Sequence, residues 1–91
     1  MKKLNSLTVV IVTYLTKKNI LLNCLKSIDK NVKIIIVENS SKFNDKKFFL
    51  KKFLNLKILC TGTNLGYGGG NNFGLLNVTT QYALILNPDI I

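Results

Sequence analysis

The sequence predicts an α/β fold in which helices cover both faces of a four-stranded, mostly parallel sheet. One observation is that strand-like and helix-like segments alternate along the chain. The other is that the strand-like runs are apolar on both faces, as in strands buried inside a parallel sheet. The order β-α-β-α-β-α-β implies right-handed crossovers, which place helices on both sides of the sheet and give three layers.

The first half of the chain contains two strand-like runs with a helix between them. Residues 7–13 are rich in β-branched side chains, and residues 33–37 form a second run of this kind. Asn19 is in position to cap the intervening helix. The apolar residues of that helix recur at helical spacing; they are Ile20, Leu21, Cys24, Leu25 and Ile28.

The second half begins with a lysine-rich helix, which Asp45 can cap. Residues 57–60 are a short third strand and residues 82–86 a fourth. The apolar side chains that we expect this helix to contribute to the core are Phe48, Phe49, Leu50, Phe53 and Leu54.

A glycine-rich segment, residues 61–70, lies between the third and fourth strands and is predicted to be a loop. A helix is predicted to follow it over about residues 71–78. Gly70 and Gly74 are four residues apart, so they lie on one face of that helix. We therefore expect the helix to pack closely on the sheet at these two positions.

The chain of 91 residues has a formal net charge of +9, from 13 lysines and four acidic residues. Arginine, which is suited to bidentate contacts with phosphate and guanine, does not occur. A nucleic-acid or anionic-membrane surface is one interpretation of this charge. Because lysine, asparagine and isoleucine are all abundant, we favour a bias of composition and expect no nucleic-acid partner. The positive field can still attract an anionic substrate such as a nucleotide.

Composition excludes several kinds of site. Histidine is absent, which removes histidine bases and histidine metal ligands. Cys24 and Cys60 are too few for a zinc site or a disulfide scaffold and are expected to be reduced and buried.

No run of about 18 apolar residues occurs, and residues 1–15 resemble a signal peptide without a cleavage site. These features indicate a cytoplasmic protein.

Polar clusters follow each of the four predicted strands. They are Thr13–Tyr14, Glu38–Ser40, residues 61–70 and Asn87–Asp89. In parallel α/β sheets, ligands bind at the carboxyl ends of the strands. The sequence therefore predicts a ligand site at this one edge of the sheet.

Each cluster offers a particular chemistry. Glu38 can accept hydrogen bonds from a ribose hydroxyl or a base N–H, although a lysine-paired loop acid is an alternative. The glycine-rich segment can present backbone N–H groups to a diphosphate at a helix N-terminus. Asp89 offers a hard oxygen ligand for Mg²⁺ or Mn²⁺, and Asn87 a neutral one.

Two familiar nucleotide-binding motifs do not fit. The glycine-rich segment contains no G-x-x-x-x-G-K-[ST] sequence, so it is not a Walker A loop. It also departs from the Rossmann dinucleotide fingerprint, because Asn71 stands where the third glycine belongs and the segment follows the third strand rather than the first.

Together these segments resemble the family 2 glycosyltransferases of GT-A fold, particularly a bacterial rhamnosyltransferase-like branch. The resemblance covers nearly the whole chain, and its most specific parts are the glycine-rich block and the block around Asn87. The matching segments are Val9–Tyr14, Cys24–Ile28, Ile36–Ser41, Asn64–Gly74 and Leu84–Asp89.

The resemblance implies a partial GT-A, Rossmann-like fold, with residues 1–91 as the N-terminal nucleotide-sugar-binding half of a family 2 domain. It implies inverting transfer of a hexosyl or rhamnosyl group from a UDP- or dTDP-linked donor, with Mg²⁺ or Mn²⁺. The acceptor would be the hydroxyl of a glycan or lipid-linked molecule in cell-wall or polysaccharide synthesis. The enzyme would work in the cytoplasm or at the inner face of the membrane.

The resemblance also implies roles for individual residues. Thr13 and Tyr14 would border the base, and Glu38, where the family usually has aspartate, would hold base or ribose. Asn64, Gly66 and Asn72 would lie near the donor sugar and diphosphate. In the family's D-x-D-like metal-binding motif, Asn87 would stand in place of the first acid and Asp89 would be the metal ligand.

The general base of the family belongs to the second half of the domain, so no catalytic residue is expected in this chain and activity of the chain alone is not expected. An alternative is a non-catalytic nucleotide-binding or scaffolding fragment of the same fold. The apolar fourth strand, residues 82–86, is expected to be an exposed edge that favours self-association.

Overall fold

The computed structural model describes residues 6–88 and arranges them in the alternating order that the sequence predicts. Three helices connect four strands. The bounds are β1 Leu7–Thr13, α1 Lys18–Lys26, β2 Lys33–Glu38, α2 Lys46–Lys52, β3 Leu56–Cys60, α3 Gly66–Leu75 and β4 Tyr82–Leu86.

The four strands form one parallel sheet in the order β3-β2-β1-β4. Ile11 of β1 lies opposite Ile36 of β2 on one side and Leu86 of β4 on the other. Because β1 is flanked by β2 and β4, the loops that leave these three strands start close together. The predicted four-stranded parallel sheet is confirmed.

The core has two parts, one on each face of the sheet, because successive strand residues point to opposite faces. On one face, Val9 and Ile11 pack with Leu21 of α1 and Phe49 of α2. On the other, Val10, Val12, Ile35 and Val37 pack against Phe73 of α3. The predicted three layers are therefore present.

Helix α3 lies very close to the sheet at two glycines. A Cβ atom placed on Gly74 would lie 2.6 Å from Cγ1 of Val10, and one on Gly70 would lie 2.8 Å from Cγ1 of Val12. Neither position has room for a side chain, which confirms the close packing expected from the spacing of these glycines.

The predicted start of α3 is wrong, because the helix begins at Gly66 rather than at about residue 71. Glycine is among the poorest helix formers, costing roughly 1 kcal/mol relative to alanine, so residues 66–70 look like a loop. Two features outweigh that cost. The Asn64 side chain accepts the Gly66 N–H at 2.8 Å, and packing on the sheet holds the helix at Gly70.

The predicted caps of α1 and α2 differ from the observed ones. Asn19 lies inside α1, whose N-cap is Lys17, and its Oδ1 accepts the N–H of its neighbour Ile20. Asp45 is the N-cap of α2 as predicted, but its side chain makes no capping hydrogen bond.

The predicted core residues of α2 are only partly buried. Phe49 is fully buried, whereas Phe48, Leu50 and Leu54 are exposed. A two-turn helix presents one narrow side to the sheet, which Phe49 occupies, and Phe53, the C-cap, is half-buried against the same core. Leu54 lies beyond the end of the helix.

The two cysteines also differ in burial. Cys24 is buried and free, and its burial raises the pKa of the thiol. The expectation that Cys60 is buried is wrong, because this residue ends β3 at the edge of the sheet and is exposed. Within residues 6–88, no helix is long and apolar enough to cross a membrane.

Candidate nucleotide-sugar site

A cleft of about 410 Å³ lies at the carboxyl ends of β1, β2 and β4. Five of the seven predicted nucleotide-sugar-binding residues line it: Thr13, Tyr14, Asn64, Gly66 and Asn87. Val12, Thr16, Asn39 and Tyr67 complete the lining. We call this the carboxyl-end cleft.

The loop after β1 forms one wall of the cleft and presents the ring of Tyr14. Thr13 is buried, and its Oγ1 donates a hydrogen bond to Oε1 of Glu38 at 2.5 Å. Leu15 has a φ of 52°, which is uncommon for a residue with a side chain. Its N–H donates to Oε2 of Glu38 at 2.9 Å, so the glutamate holds this unusual turn in place.

Glu38 itself lies beside the cleft rather than in its lining. It is 3% exposed and borders a neighbouring cleft of about 230 Å³ together with Thr16. Besides Thr13 and Leu15, the Ser40 hydroxyl donates to it at 2.7 Å. Three donors of the chain, two hydroxyls and one backbone N–H, therefore hold the carboxylate.

Asn39 connects the end of β2 to the start of α3. The residue is buried, and its Nδ2 donates to the carbonyl of Gly66 at 2.9 Å. Its Oδ1 accepts the Thr61 hydroxyl at 3.3 Å and the Leu65 N–H at 3.4 Å. These contacts fix the opposite wall of the cleft relative to the sheet.

The N-terminus of α3 opens onto the cleft. Gly66 has a φ of 77°, a conformation that glycine adopts without strain, and Asn64 accepts its N–H. The first N–H groups of a helix have no partner within the helix, and the dipole is positive at that end. The arrangement therefore suits an anion placed beside Gly66 and Tyr67.

One predicted site residue, Asn72, lies apart from this arrangement. Asn72 is exposed on α3 and outside the cleft lining, and its carbonyl accepts the Leu76 N–H. Asp89, the predicted metal ligand, lies outside the described residues, whereas Asn87 lines the cleft.

Sequence reasoning missed two contributors to the site. Tyr67 lines the cleft. Its position directly after Gly66, in the glycine-rich segment, could have indicated this aromatic residue as part of the site. Asn39 was grouped with the polar turn after β2, but its burial and its bonds to α3 depend on contacts between distant segments.

The described lining of the carboxyl-end cleft contains oxygen donors but no carboxylate. Residues 6–88 contain no group of three or more His, Cys, Asp or Glu side chains. What they bring to the cleft is hydroxyl and amide oxygen, with Asn87 nearest to Asp89 in sequence. Mg²⁺ and Mn²⁺ commonly take one or two carboxylates and complete their shell with phosphate and water, so these oxygens suit such an ion only together with a carboxylate from outside the described lining.

Comparisons with known proteins agree with this geometry. The family model for glycosyl transferase family 2 matches residues 8–91. A crystal structure of S. aureus TarS 1–349 superposes with a TM-score of 0.73 and 26% identity, over 92% of this chain and 27% of that one. A second TarS structure gives a TM-score of 0.72 and 26% identity, over 92% of this chain and 16% of that one.

The chain thus spans about a quarter or less of the TarS chains that it matches. None of the curated proteins searched gives a significant match. The sheet and its helices correspond to the GT-A-like fold of TarS. With the family match over almost its whole length, the chain belongs to glycosyl transferase family 2.

Proposed function

We propose that the carboxyl-end cleft binds the nucleotide-diphosphate part of a UDP- or dTDP-linked sugar, the donor for inverting transfer to an acceptor hydroxyl. Nucleotide-sugar donors and glycan acceptors are general features of the family. The observation that carries the proposal is the convergence of Tyr14, Asn64 and Gly66 with the N-terminus of α3 on one cleft.

The two walls of the cleft suit the two ends of a nucleotide diphosphate. Tyr14 is 56% exposed and offers an aromatic face to a base. Across the cleft, the Gly66 N–H already donates to Asn64, so the donors offered to phosphate and sugar oxygens are the N–H groups that follow Gly66 in the first turn of α3 and the NH2 group of Asn64. Thr13 and Glu38 then support the base side by holding the loop that carries Tyr14.

The family is typically dependent on a divalent metal, and we assign Asp89 as the carboxylate that would hold Mg²⁺ or Mn²⁺, with Asn87 beside it. Bound there, the ion would neutralise charge on the departing nucleotide diphosphate. Asn72 is assigned to the sugar and diphosphate by family position alone, because it lies outside the cleft lining.

The remaining proposals concern the whole enzyme. We propose a glycan or lipid-linked acceptor, a general base outside this chain, a role in cell-wall or polysaccharide synthesis, and a cytoplasmic location that includes the inner face of the membrane.

We also propose self-association through the edge strand β4, which exposes Tyr82, Leu84 and Ile85. Light scattering should then show oligomers, and a monodisperse monomer would contradict that part.

A second candidate is a nucleotide-binding module without catalysis. It is favoured by the lining of the carboxyl-end cleft, which contains no carboxylate among the described residues. Such a module would bind nucleotide, but a longer protein containing it would transfer no sugar when donor and acceptor are added.

Isothermal titration of the chain with UDP and dTDP, with and without Mn²⁺, tests the proposal. We expect Mn²⁺ to strengthen binding and Asp89→Ala to weaken the Mn²⁺-dependent binding about ten-fold or more. Asp29→Ala is the matched control, because Asp29 is an exposed acid at the other end of the sheet. If neither nucleotide binds at millimolar concentration, the proposal fails.

A further inference from the structure

The end of the sheet opposite the carboxyl-end cleft carries two strongly exposed leucines. Leu54 is 93% exposed and Leu76 is 84% exposed, more than any other large apolar side chain in residues 6–88. Each follows the C-terminus of a helix that runs from the carboxyl ends to the amino ends of the strands. Both leucines therefore lie at the amino end of the sheet, one after α2 and one after α3.

Leu54 borders an apolar groove between the ends of α1 and α2. The groove has a volume of about 580 Å³, and Leu25, Ile28 and Phe53 contribute apolar side chains to it. A second cleft of about 320 Å³ shares Leu54 and extends to Asn77, the residue after Leu76. The two clefts therefore meet at Leu54, and the second one reaches the residue next to Leu76.

Lysines line both of these clefts. Lys26, Lys30 and Lys52 line the first groove, and Lys33 and Lys57 line the second cleft. Glu38 and Asp45 lie at the opposite end of the sheet. Among residues 6–88, Asp29 is therefore the only negatively charged residue at the same end as these five lysines. The amino end of the sheet therefore combines exposed aliphatic side chains with a concentrated positive charge.

This combination fits an anionic lipid bilayer better than the other polyanions or a protein. Aliphatic side chains can enter the interfacial region, while lysine stems lie along apolar surface and their ammonium groups reach phosphates. Nucleic-acid surfaces generally use arginine and exposed aromatic rings, and the sequence has no arginine. Lysine is depleted in the cores of protein–protein interfaces.

We propose that the amino end of the sheet is a docking surface for an anionic lipid bilayer. Leu54 and Leu76 insert at the interface and the five lysines contact the phosphate headgroups. The surface is separate from the carboxyl-end cleft, so docking needs no nucleotide. In this orientation the cleft faces away from the lipid and stays open to nucleotide sugars in solution.

The test is co-sedimentation of the full chain with vesicles of phosphatidylcholine alone and of phosphatidylcholine mixed with phosphatidylglycerol. We expect binding only to the mixed vesicles, with a large loss at high salt, since exposed charges are screened. Leu54→Ser should weaken binding several-fold. Lys30→Gln with Lys52→Gln should weaken it by about 25-fold, at roughly five-fold for each lysine.

The matched control is Lys46→Gln with Lys47→Gln, which removes the same charge from the start of α2 at the opposite end of the sheet. It should change binding about two-fold or less, and circular dichroism checks that every variant is folded. The proposal is overturned if the mixed vesicles do not bind or if both double variants lose affinity equally. It is also overturned if Leu54→Ser has no effect while a single-stranded RNA binds more tightly than the vesicles.

Discussion

At the scale of single residues, the carboxylate of Glu38 organises the base side of the candidate site. It accepts hydrogen bonds from Thr13, Leu15 and Ser40, two of which lie in the loop that carries Tyr14. Because Leu15 has a positive φ, this loop needs an external acceptor to hold it. From the sequence we expected Glu38 to contact a base or ribose, whereas its partners within the chain depend on side-chain geometry that no linear pattern encodes.

Glu38→Gln should lower the free energy of unfolding by about 1.5–3 kcal/mol. The amide oxygen can still accept from Leu15 and Ser40, and the Thr13 hydroxyl can turn to accept from the amide NH2, but all three bonds to a charged acceptor become weaker neutral ones. Urea denaturation followed by circular dichroism measures the change. Asp29→Asn, at an exposed acid, should change stability by less than about 0.5 kcal/mol. Equal stabilities of wild type and Glu38→Gln would show that the three bonds do not hold the loop.

At the scale of elements, the position of α3 depends on glycines that allow it to approach the sheet. Gly74→Ala should destabilise the chain by about 1–3 kcal/mol, because the new Cβ would meet Cγ1 of Val10 at 2.6 Å. Gly68→Ala is the matched control, since nothing lies within 4 Å of its added Cβ. Helix propensity should make that variant more stable by up to about 1 kcal/mol. Thermal melts measure both, and stabilisation by Gly74→Ala would contradict the packing described.

Strands were easier to predict than helix boundaries. The β-branched runs of β1 and β2 are buried on both sides, so composition alone identifies them. The start of α3 could not be predicted in this way, because glycine-rich residues 66–70 become helical only through the turn at Asn64 and the contacts with β1. Tertiary packing overrode local propensity there.

At the scale of the whole molecule, parallel topology made the site predictable. Polar residues that follow strands of a parallel sheet must lie at one edge, so the positions of Thr13, Asn64 and Asn87 along the chain suffice to group them. Asn72 was grouped with them by family position, but it points away from the cleft lining because the glycines of α3 take the side that faces the sheet.

Nuclear magnetic resonance mapping of nucleotide binding tests the central claim most directly. UDP with Mg²⁺ is titrated into ¹⁵N-labelled chain while the amide resonances are followed. The largest shifts are expected at Tyr14, Gly66 and Tyr67, which line the carboxyl-end cleft, with little change at Leu54 and Leu76 at the opposite end. The largest shifts around Leu54, or none at any amide, would contradict the assignment of the carboxyl-end cleft as the donor site.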